Sequence, residues 1–225
     1  MKIKSGKSLL VTCLTTIILF GACSTMNKTQ KGAIIGTAGG AAAGAVVGRV
    51  SGNTALGAII GAAVGGVTGT IIGHKMDKQA EEIRNKVPNA KVERIGEGIV
   101  VEFNEKILFG FDQSNLTNLS KSNLDKLIVV LKEYPETNIQ IQGHTDDVGT
   151  EKYNMKLSKK RSSSVKNYIQ TQNINSSRLS IKGFGETAPH YSNATSDGQS
   201  QNRRVDFLIT ANSKMKEEAK KEANH

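Results

Sequence analysis

Glycine recurs at every fourth position through one stretch in the first third of this chain. The positions are Gly32, Gly36, Gly40, Gly44 and Gly48, then Gly57, Gly61, Gly65, Gly69 and Gly73. Glycine disfavours an isolated helix by about 1 kcal/mol per residue relative to alanine, so a helix here needs a reason to form. A strict period of four supplies one, because it lines one helix face with glycine and lets a second backbone approach closely. Residues 32–73 therefore predict a helical hairpin with two glycine-lined arms.

The surroundings of this hairpin stay open on the sequence alone. Residues 32–73 include a single charged residue, Arg49, and no aromatic residue. Each arm of about 17 residues would be roughly 25 Å long as a helix, which is at the short edge of what a bilayer core requires. We predict a zipper that is embedded in the membrane or joins copies of the chain into a homo-oligomer. A soluble packed hairpin and a disordered segment are the alternatives.

The first residues of the chain predict an export signal. Three lysines precede an uncharged run from residue 9 to residue 20, which is too short to span a membrane but suits the apolar part of a signal peptide. The run ends in small residues before Cys23, and this pattern resembles a bacterial lipobox, although Phe20 stands where leucine is usual. We predict a lipoprotein signal peptide over 1–22, acylation of Cys23 and a tether over 23–31. An ordinary cleaved signal peptide is the alternative.

Charge and cysteine content narrow the classes of partner. The net charge is +10, and loss of the three signal-peptide lysines lowers it to about +7, a balance that favours an acidic partner. An exported protein rarely meets nucleic acid, and no aromatic-rich basic strand of the RNA-binding kind is present. Peptidoglycan, with its free carboxylates, is the better target. If Cys23 carries lipid and Cys13 leaves with the signal peptide, no disulfide supports the exported domain.

Alternating and helical apolar patterns between residues 90 and 212 predict one globular domain. The predicted elements are two strands around a turn within 92–103, an extended segment 107–111, a helix capped by Ser120 and stopped by Pro135, a strand 138–142, a helix ending at Gln170, and strands 179–182 and 205–209. Their order predicts an α/β (α+β sandwich) fold, with an open mixed sheet and helices packed on one face.

Two charged segments flank that domain. Residues 74–89 predict a linker helix that Pro88 closes, and they mark the boundary with the glycine-rich stretch. The tail 213–225 is rich in charge and poor in core residues, so it predicts a frayed helix or disorder.

One polar segment carries the pattern of a binding site. Residues 143–161 read GHTDDVGTEKYNMKLSKKR, with Asp146 in a loop that directly follows a predicted strand. Asn154 and Arg161 are seven residues apart, close to two helical turns, so they share one face of the next helix. The carboxylate can face an ammonium group, and the guanidinium can hold a carboxylate bidentately. The segment therefore predicts a clamp for a small zwitterion.

The same segment, with the later stretches RLSIKGFGE and NRRVDFLI, resembles the OmpA-like peptidoglycan-binding domain over about 105–210. That resemblance implies that Asp146 and Arg161 hold the diaminopimelate of the peptidoglycan peptide stem, with Asn154 as a further contact. Two positions depart from the family pattern: Ser162 replaces the usual alanine, and Gln199 replaces a common basic residue. Both are peripheral to the acid–arginine pair.

Further residues complete the predicted ligand set. Thr145 and the first amides of the following helix are placed to meet a ligand carboxylate, because a helix N-terminus favours anions. Of the two arginines before the last strand, one supports Asp146 or reaches the ligand, and we assign Arg204 to the ligand. Asp147 is assigned a turn role, and Lys159 and Lys160 are assigned to solvent.

An enzymatic function is not indicated. His144, Asp146, Asp147 and Glu151 are close in sequence, but no His-x-x-x-His or cysteine pair has metal-ligand spacing. No serine or cysteine lies in a nucleophile motif with an assignable base. We therefore predict no metal, no cofactor and no catalysis, and expect His144 to end a strand as a structural hydrogen-bonding residue.

The predicted function is non-covalent peptidoglycan binding that tethers the outer membrane to the cell wall. Acylated Cys23 would insert into outer-membrane lipid, and Ser24 in place of an acidic residue after it resembles an outer-membrane destination. The C-terminal domain would then lie in the periplasm. The alternative is an oligomerising structural component of an envelope assembly, of the stator or secretion kind, in which wall binding only positions the complex.

Overall fold

The computed structural model describes residues 66–109 and 113–224. The predicted signal peptide, Cys23 and most of the predicted glycine hairpin lie outside the described residues, as does Phe111 of the predicted extended segment. In the ranges that are described, no helix is both long and apolar enough to cross a membrane.

Six α-helices and five strands make up the described part of the chain. In chain order they are α1 (Val67–Lys86), β1 (Lys91–Ile95), β2 (Gly98–Asn104), α2 (Glu105–Leu108), α3 (Asn118–Glu133), β3 (Thr137–His144), α4 (Glu151–Thr171), a 3₁₀ turn (Ser176–Arg178), β4 (Leu179–Gly185), α5 (Ser196–Asn202), β5 (Arg204–Ala211) and α6 (Ser213–Ala223).

The strands form one open sheet in the order β1-β2-β5-β3-β4. Strands β3 and β4 are parallel, whereas the other neighbouring strands are antiparallel. The parallel pair requires a crossover connection, and α4 provides it. The predicted α/β fold with an open mixed sheet is confirmed.

Alternation along the central strands separates two faces of the sheet. One face is mainly apolar and packs under α1, α3, α4 and α6; its central members are Val101, Phe103, Ile139, Ile141, Val205, Phe207 and Ile209. Phe103 and Phe207 meet edge to face, with ring centroids 5.6 Å apart. The opposite face carries mainly polar side chains from β2, β3 and β5, together with a small apolar group of Ile95, Val100 and Leu208.

Both flanking helices belong to the core, unlike the prediction. Helix α1 starts at Val67, seven residues before the predicted linker helix, and its fully buried apolar residues are Ile72, Met76, Ala80 and Ile83. The tail predicted to fray forms α6, in which the Asn212 side chain caps the first turn and Met215 and Ala219 are buried. Each helix offers only a narrow apolar face, and the two pack against each other.

Two local predictions before α3 are also corrected. Ile107 and Leu108, which were predicted to be extended, lie instead in a single helical turn, α2. The side chain of its N-cap, Asn104, accepts a hydrogen bond from the Lys106 amide. The N-cap of α3 is Thr117, and Ser120 is the third helical residue; their side chains and amides bond reciprocally as a capping box.

Candidate functional site

Helix α4 lies unusually close to β3 and β4, and this fixes the height of its side chains above the sheet. A Cβ atom on Gly143 would come within 2.2 Å of the Ser158 carbonyl oxygen, and one on Gly183 within 2.5 Å of the Lys159 side chain. The Gly185 amide also donates to Ser158 Oγ at 3.0 Å. Glycine is therefore required where the strands pass under the helix.

The loop between β3 and α4 is held by its own hydrogen bonds. The Thr145 amide donates to the Gly185 carbonyl at 2.9 Å, and its hydroxyl donates to the Asp146 carbonyl at 2.8 Å. Asp146 Oδ1 accepts from the Val148 amide at 3.3 Å. The loop ends at Thr150, whose side chain accepts from the Tyr153 amide and caps α4. Asp146 is thus held in place by both its backbone and its side chain.

Four charged side chains of alternating sign form a chain beneath this loop, which we call the site cluster: Asp146, Arg203, Glu105 and Arg161. Asp146 Oδ2 lies 2.5 Å from Arg203 Nη1. Arg203 Nε lies 3.0 Å from Glu105 Oε2, and Glu105 Oε1 lies 2.6 Å from Arg161 Nη2. Asp146 and Arg161 therefore belong to one ionic cluster, but two other residues separate them.

The site cluster is electrically balanced, and three of its four members are almost entirely buried. The exposed fraction is 2% for Arg161, 5% for Glu105 and 7% for Asp146. Burial raises the pKa of Glu105, although the charges of Arg161 and Arg203 oppose that rise. Arg161 Nε also donates to the Gln113 carbonyl at 3.1 Å, and its guanidinium lies 5.4 Å from the centre of the Phe109 ring. A zwitterion adds one charge of each sign, so it can enter such a cluster without unbalancing it.

Asn154 and Thr145 support the loop. Asn154 Nδ2 donates to the Val148 carbonyl at 3.2 Å and to Glu186 Oε2 at 2.5 Å. Thr145 is 3% exposed, and its hydroxyl is already engaged by the Asp146 carbonyl. The structure therefore places both predicted residues beside the site cluster, with their polar groups holding the loop in position.

Arg204 does not join Asp146. It is fully buried on the opposite face of the sheet, where Nε lies 3.2 Å from Asp206 Oδ2 and Nη2 donates to the Ala188 carbonyl at 3.2 Å. Successive side chains of a strand point to opposite faces, so the residue that reaches Asp146 is Arg203. We replace Arg204 by Arg203 in the candidate site.

Glu105 was missed by the sequence interpretation. It follows β2 directly, and the helical turn that begins there directs its carboxylate to the site cluster while its amide donates to the Arg203 carbonyl at 2.7 Å. The available signal was Asn104 followed by an acidic residue, a common start of a helix.

A second group of buried and largely buried titratable side chains lies on the opposite face, and we call it the outer-face cluster: Glu102, His144, His190, Arg204 and Asp206. His144 stacks on Phe184 with ring centroids 4.9 Å apart, and its Nε2 lies 3.3 Å from Asp206 Oδ2. Within the described ranges neither ring nitrogen of His144 has an aligned hydrogen bond. The expected hydrogen-bonding role is thus replaced by stacking and a close carboxylate.

Burial and neighbouring charges lower the pKa of two members of the outer-face cluster. Burial lowers the pKa of His144, so the ring is neutral near neutral pH. Burial alone would raise the pKa of Asp206, but Arg204, together with the two neighbouring histidines, outweighs burial and the pKa falls to about 2. Among the described residues, no group of three or more histidine, cysteine, aspartate or glutamate side chains is placed to hold a metal ion.

Comparison with protein families gives two matches on this chain. Residues 108–203 match the OmpA family, and residues 1–77 match the YMGG-like Gly-zipper. The first match includes Asp146, Asn154, Arg161 and Arg203. The second covers the glycine repeat of period four.

Curated relatives agree with both matches. The probable lipoprotein YiaD of Escherichia coli is 34% identical over 141 residues, which are 62% of this chain and 64% of that protein, so the chain spans less than two thirds of that relative. The outer-membrane lipoprotein YfiB of Pseudomonas aeruginosa is 32% identical over 115 residues, which are 51% of this chain and 68% of that protein. Such relatives are structural proteins and not enzymes, in agreement with the predicted lack of catalysis.

A solved structure supports the fold. A putative MotB-like protein from Desulfovibrio vulgaris superimposes with a TM-score of 0.59 and 24% identity, covering 63% of this chain and 94% of its own. Family match, curated relatives and fold agree with one another. The chain belongs to the OmpA family of peptidoglycan-binding domains.

Proposed function

We propose that this protein binds peptidoglycan non-covalently through the diaminopimelate of the peptide stem and thereby links the outer membrane to the cell wall. The observation that carries the proposal is the site cluster, in which Asp146 and Arg161 are the two ends of one buried chain of alternating charges. The free end of stem diaminopimelate carries one ammonium and one carboxylate. It is therefore the chemical complement of an acidic and a basic group held in a fixed frame.

Each end of the site cluster has hydrogen-bonding capacity for the ligand. Two nitrogens of Arg161 are engaged, Nε by the Gln113 carbonyl and Nη2 by Glu105. Its third nitrogen, Nη1, makes no hydrogen bond to any residue of the described ranges, so we assign it to the ligand carboxylate. Among the described residues, Asp146 Oδ1 accepts only the long bond from the Val148 amide, and we assign this oxygen to the ligand ammonium. Loss of either contact would cost about 2–5 kcal/mol of binding.

The membrane end of the proposal rests on residues outside the described ranges. Acylation of Cys23 would insert the chain into outer-membrane lipid, with the C-terminal domain in the periplasm. The relatives YiaD and YfiB are named as lipoproteins, and the glycine-zipper match over 1–77 supports a zipper that packs in the membrane or joins copies into a homo-oligomer. The likeness to the MotB-like structure is one of fold, so the envelope-assembly alternative gains no separate support from it.

The direct experiment is co-sedimentation of the full-length chain, in detergent, with purified wall sacculi. A fragment over 90–212 is unsuitable because it lacks core residues of α1 and α6, such as Met76 and Met215. We expect the wild type to sediment, free diaminopimelate to compete, and Asp146→Asn and Arg161→Lys to stay in the supernatant.

The matched control is Asp147→Asn. Asp147 is exposed, and its carboxylate accepts from Gln199 Nε2 at 3.3 Å, away from the site cluster. This variant should sediment like the wild type. Equal sedimentation of Arg161→Lys and wild type would contradict the proposed function.

A further inference from the structure

The solvent side of α4 carries a second feature that the diaminopimelate site does not use. An open groove runs along this side, and we call it the lysine groove; its lining residues are Ser114, Lys152, Met155, Lys156, Lys159, Lys160, Ser163, Ser164 and Asn167. The four lysines lie at helical spacing on one face and are all exposed. Asn154 and Arg161 face the sheet from the same helix and are buried.

The four groove lysines form no ion pair with any acidic residue that the structure describes. No carboxylate of the described ranges lies within 4 Å of any of their ammonium groups, whereas Lys86, Lys91 and Lys214 each form an ion pair. Like charges three and four residues apart destabilise a helix. A cluster of uncompensated positive charge in a groove also raises the local concentration of anions. The lysine groove therefore lowers the stability of the folded chain and favours binding of a polyanion.

The lysine groove adjoins the site cluster through one short segment. Ser114 lines the groove, and the preceding residue, Gln113, accepts the hydrogen bond from Arg161 Nε. A ligand held at Arg161 is thus one residue of backbone away from the groove. Ser163, Ser164 and Asn167 offer neutral hydrogen-bonding groups between the lysines, which suit a partner that is both hydroxylated and acidic.

We propose that the lysine groove binds carboxylates of the peptidoglycan strand whose diaminopimelate is held by the site cluster. The inference rests on the proposed function and extends it from a single stem residue to the polymer. Peptidoglycan fits because it carries repeated free carboxylates, and α4 already contributes Arg161 to the proposed diaminopimelate site. Each lysine contact is exposed and screened by salt, so the groove adds affinity through several weak contacts and increases the association rate.

The test compares two quadruple variants of the full-length chain in detergent. The first changes Lys152, Lys156, Lys159 and Lys160 to Gln. The matched control changes Lys78, Lys216, Lys220 and Lys221 to Gln; these lysines lie on α1 and α6 and form no ion pair within the described ranges. Both variants lose the same charge. The affinity of each variant is measured for three ligands: sacculi (at low and at high salt), free diaminopimelate, and vesicles containing phosphatidylglycerol.

We expect the groove variant to bind sacculi about tenfold more weakly at low salt, with the difference shrinking at high salt. Its affinity for free diaminopimelate should equal that of wild type, and the control variant should bind sacculi normally. Equal loss in both variants would overturn the proposal and indicate a general charge effect. Loss of vesicle binding with unchanged sacculus binding would overturn it in favour of an anionic membrane.

The two proposals fail in distinguishable ways. If Arg161→Lys still binds free diaminopimelate like the wild type, the site cluster assignment is wrong whatever the groove variant does. If Arg161→Lys loses diaminopimelate and the groove variant binds sacculi like the wild type, only the lysine groove proposal is wrong.

Discussion

The site cluster and the outer-face cluster are both built around buried acids and arginines, and they differ in the exposure of an arginine and in the direction in which the pKa of an acid is shifted. Consecutive arginines serve them: Arg203 contacts Asp146 and Glu105, and Arg204 contacts Asp206 on the other face of the sheet. The side chain of Arg203 is 27% exposed, whereas that of Arg204 is fully buried. Two consecutive arginines thus belong to different clusters, on opposite faces of the sheet.

The pKa shifts of the two acids show the same difference. Burial raises the pKa of Glu105 despite two arginines, whereas Arg204 and the neighbouring histidines together outweigh burial and lower the pKa of Asp206 to about 2. The outer-face acid is stabilised in its charged form, but the site-cluster acid is not. The site-cluster acid is thus the one whose ionisation burial disfavours, and carboxyl groups with perturbed pKa values of this kind are common at functional sites.

Removing Arg203 and Arg204 in separate variants is the strongest test of this difference between the two clusters. Arg204→Met leaves Asp206 and Glu102 buried without their cation, so we expect it to lower the free energy of unfolding by about 3–5 kcal/mol. Arg203→Met removes a partly exposed group, and we expect a loss of about 1 kcal/mol. Urea unfolding of the two variants measures the difference, and equal losses would show that the clusters do not differ as described.

Acid unfolding tests the lowered pKa of Asp206 in the outer-face cluster. The pKa of Asp206 is about 2 in the fold and near 3.9 in an unfolded chain, so the unfolded chain takes up the proton first as the pH falls. Stability from Asp206 is therefore complete above about pH 4 and is lost as the pH falls through about 2, a change of about 2 kcal/mol. Unfolding of wild type and Asp206→Asn across this range checks it; parallel pH curves would contradict it.

Two groups should shift stability in opposite directions at milder pH. The lowered pKa of His144 means that stability falls as the pH drops below about 6.5, because the unfolded chain protonates first. The raised pKa of Glu105 has the reverse sign: its folded form protonates first, so its contribution to stability rises as the pH falls. We expect the stability difference between wild type and Glu105→Gln to shift in favour of wild type on acidification. A shift in the opposite direction would contradict the assignment.

The smallest expected change in stability is also the most informative about binding. Arg203→Met should weaken diaminopimelate binding several-fold, because Asp146 loses the partner that fixes Oδ2. Its effect on unfolding should stay well below that of Arg204→Met, because Arg203 is partly exposed and Glu105 keeps Arg161 as a partner. Isothermal titration of diaminopimelate gives the affinity. Unchanged affinity would indicate that the Val148 amide alone holds Asp146 in position.

Much of the fold followed from local patterns in the sequence. Alternation located the strands, and the spacing of Leu124, Leu127 and Leu131 located α3. Asp146 and Arg161 were found because the seven-residue spacing between Asn154 and Arg161 and the loop before the helix are local features too. Identifying these two residues in the sequence therefore needed little information from the rest of the chain.

What escaped the sequence depends on distant pairing. Glu105 reaches the site cluster because β2 pairs with β5 in a register that sets Asn104 opposite Arg204, and this also brings Arg203 beside it. The helices α1 and α6 were underestimated for the same reason. The narrow apolar face of α6, Met215 and Ala219, is meaningful only once α1 lies against it.

The most direct test of the central claim uses stem tripeptides that end in diaminopimelate or in lysine. The lysine peptide keeps the side-chain ammonium that we assign to Asp146, but it lacks the carboxylate that we assign to Arg161. We expect the wild-type full-length chain to prefer the diaminopimelate peptide by about 2–5 kcal/mol in isothermal titration, and Arg161→Lys to lose most of that preference. A preference that survives unchanged in Arg161→Lys would contradict the account.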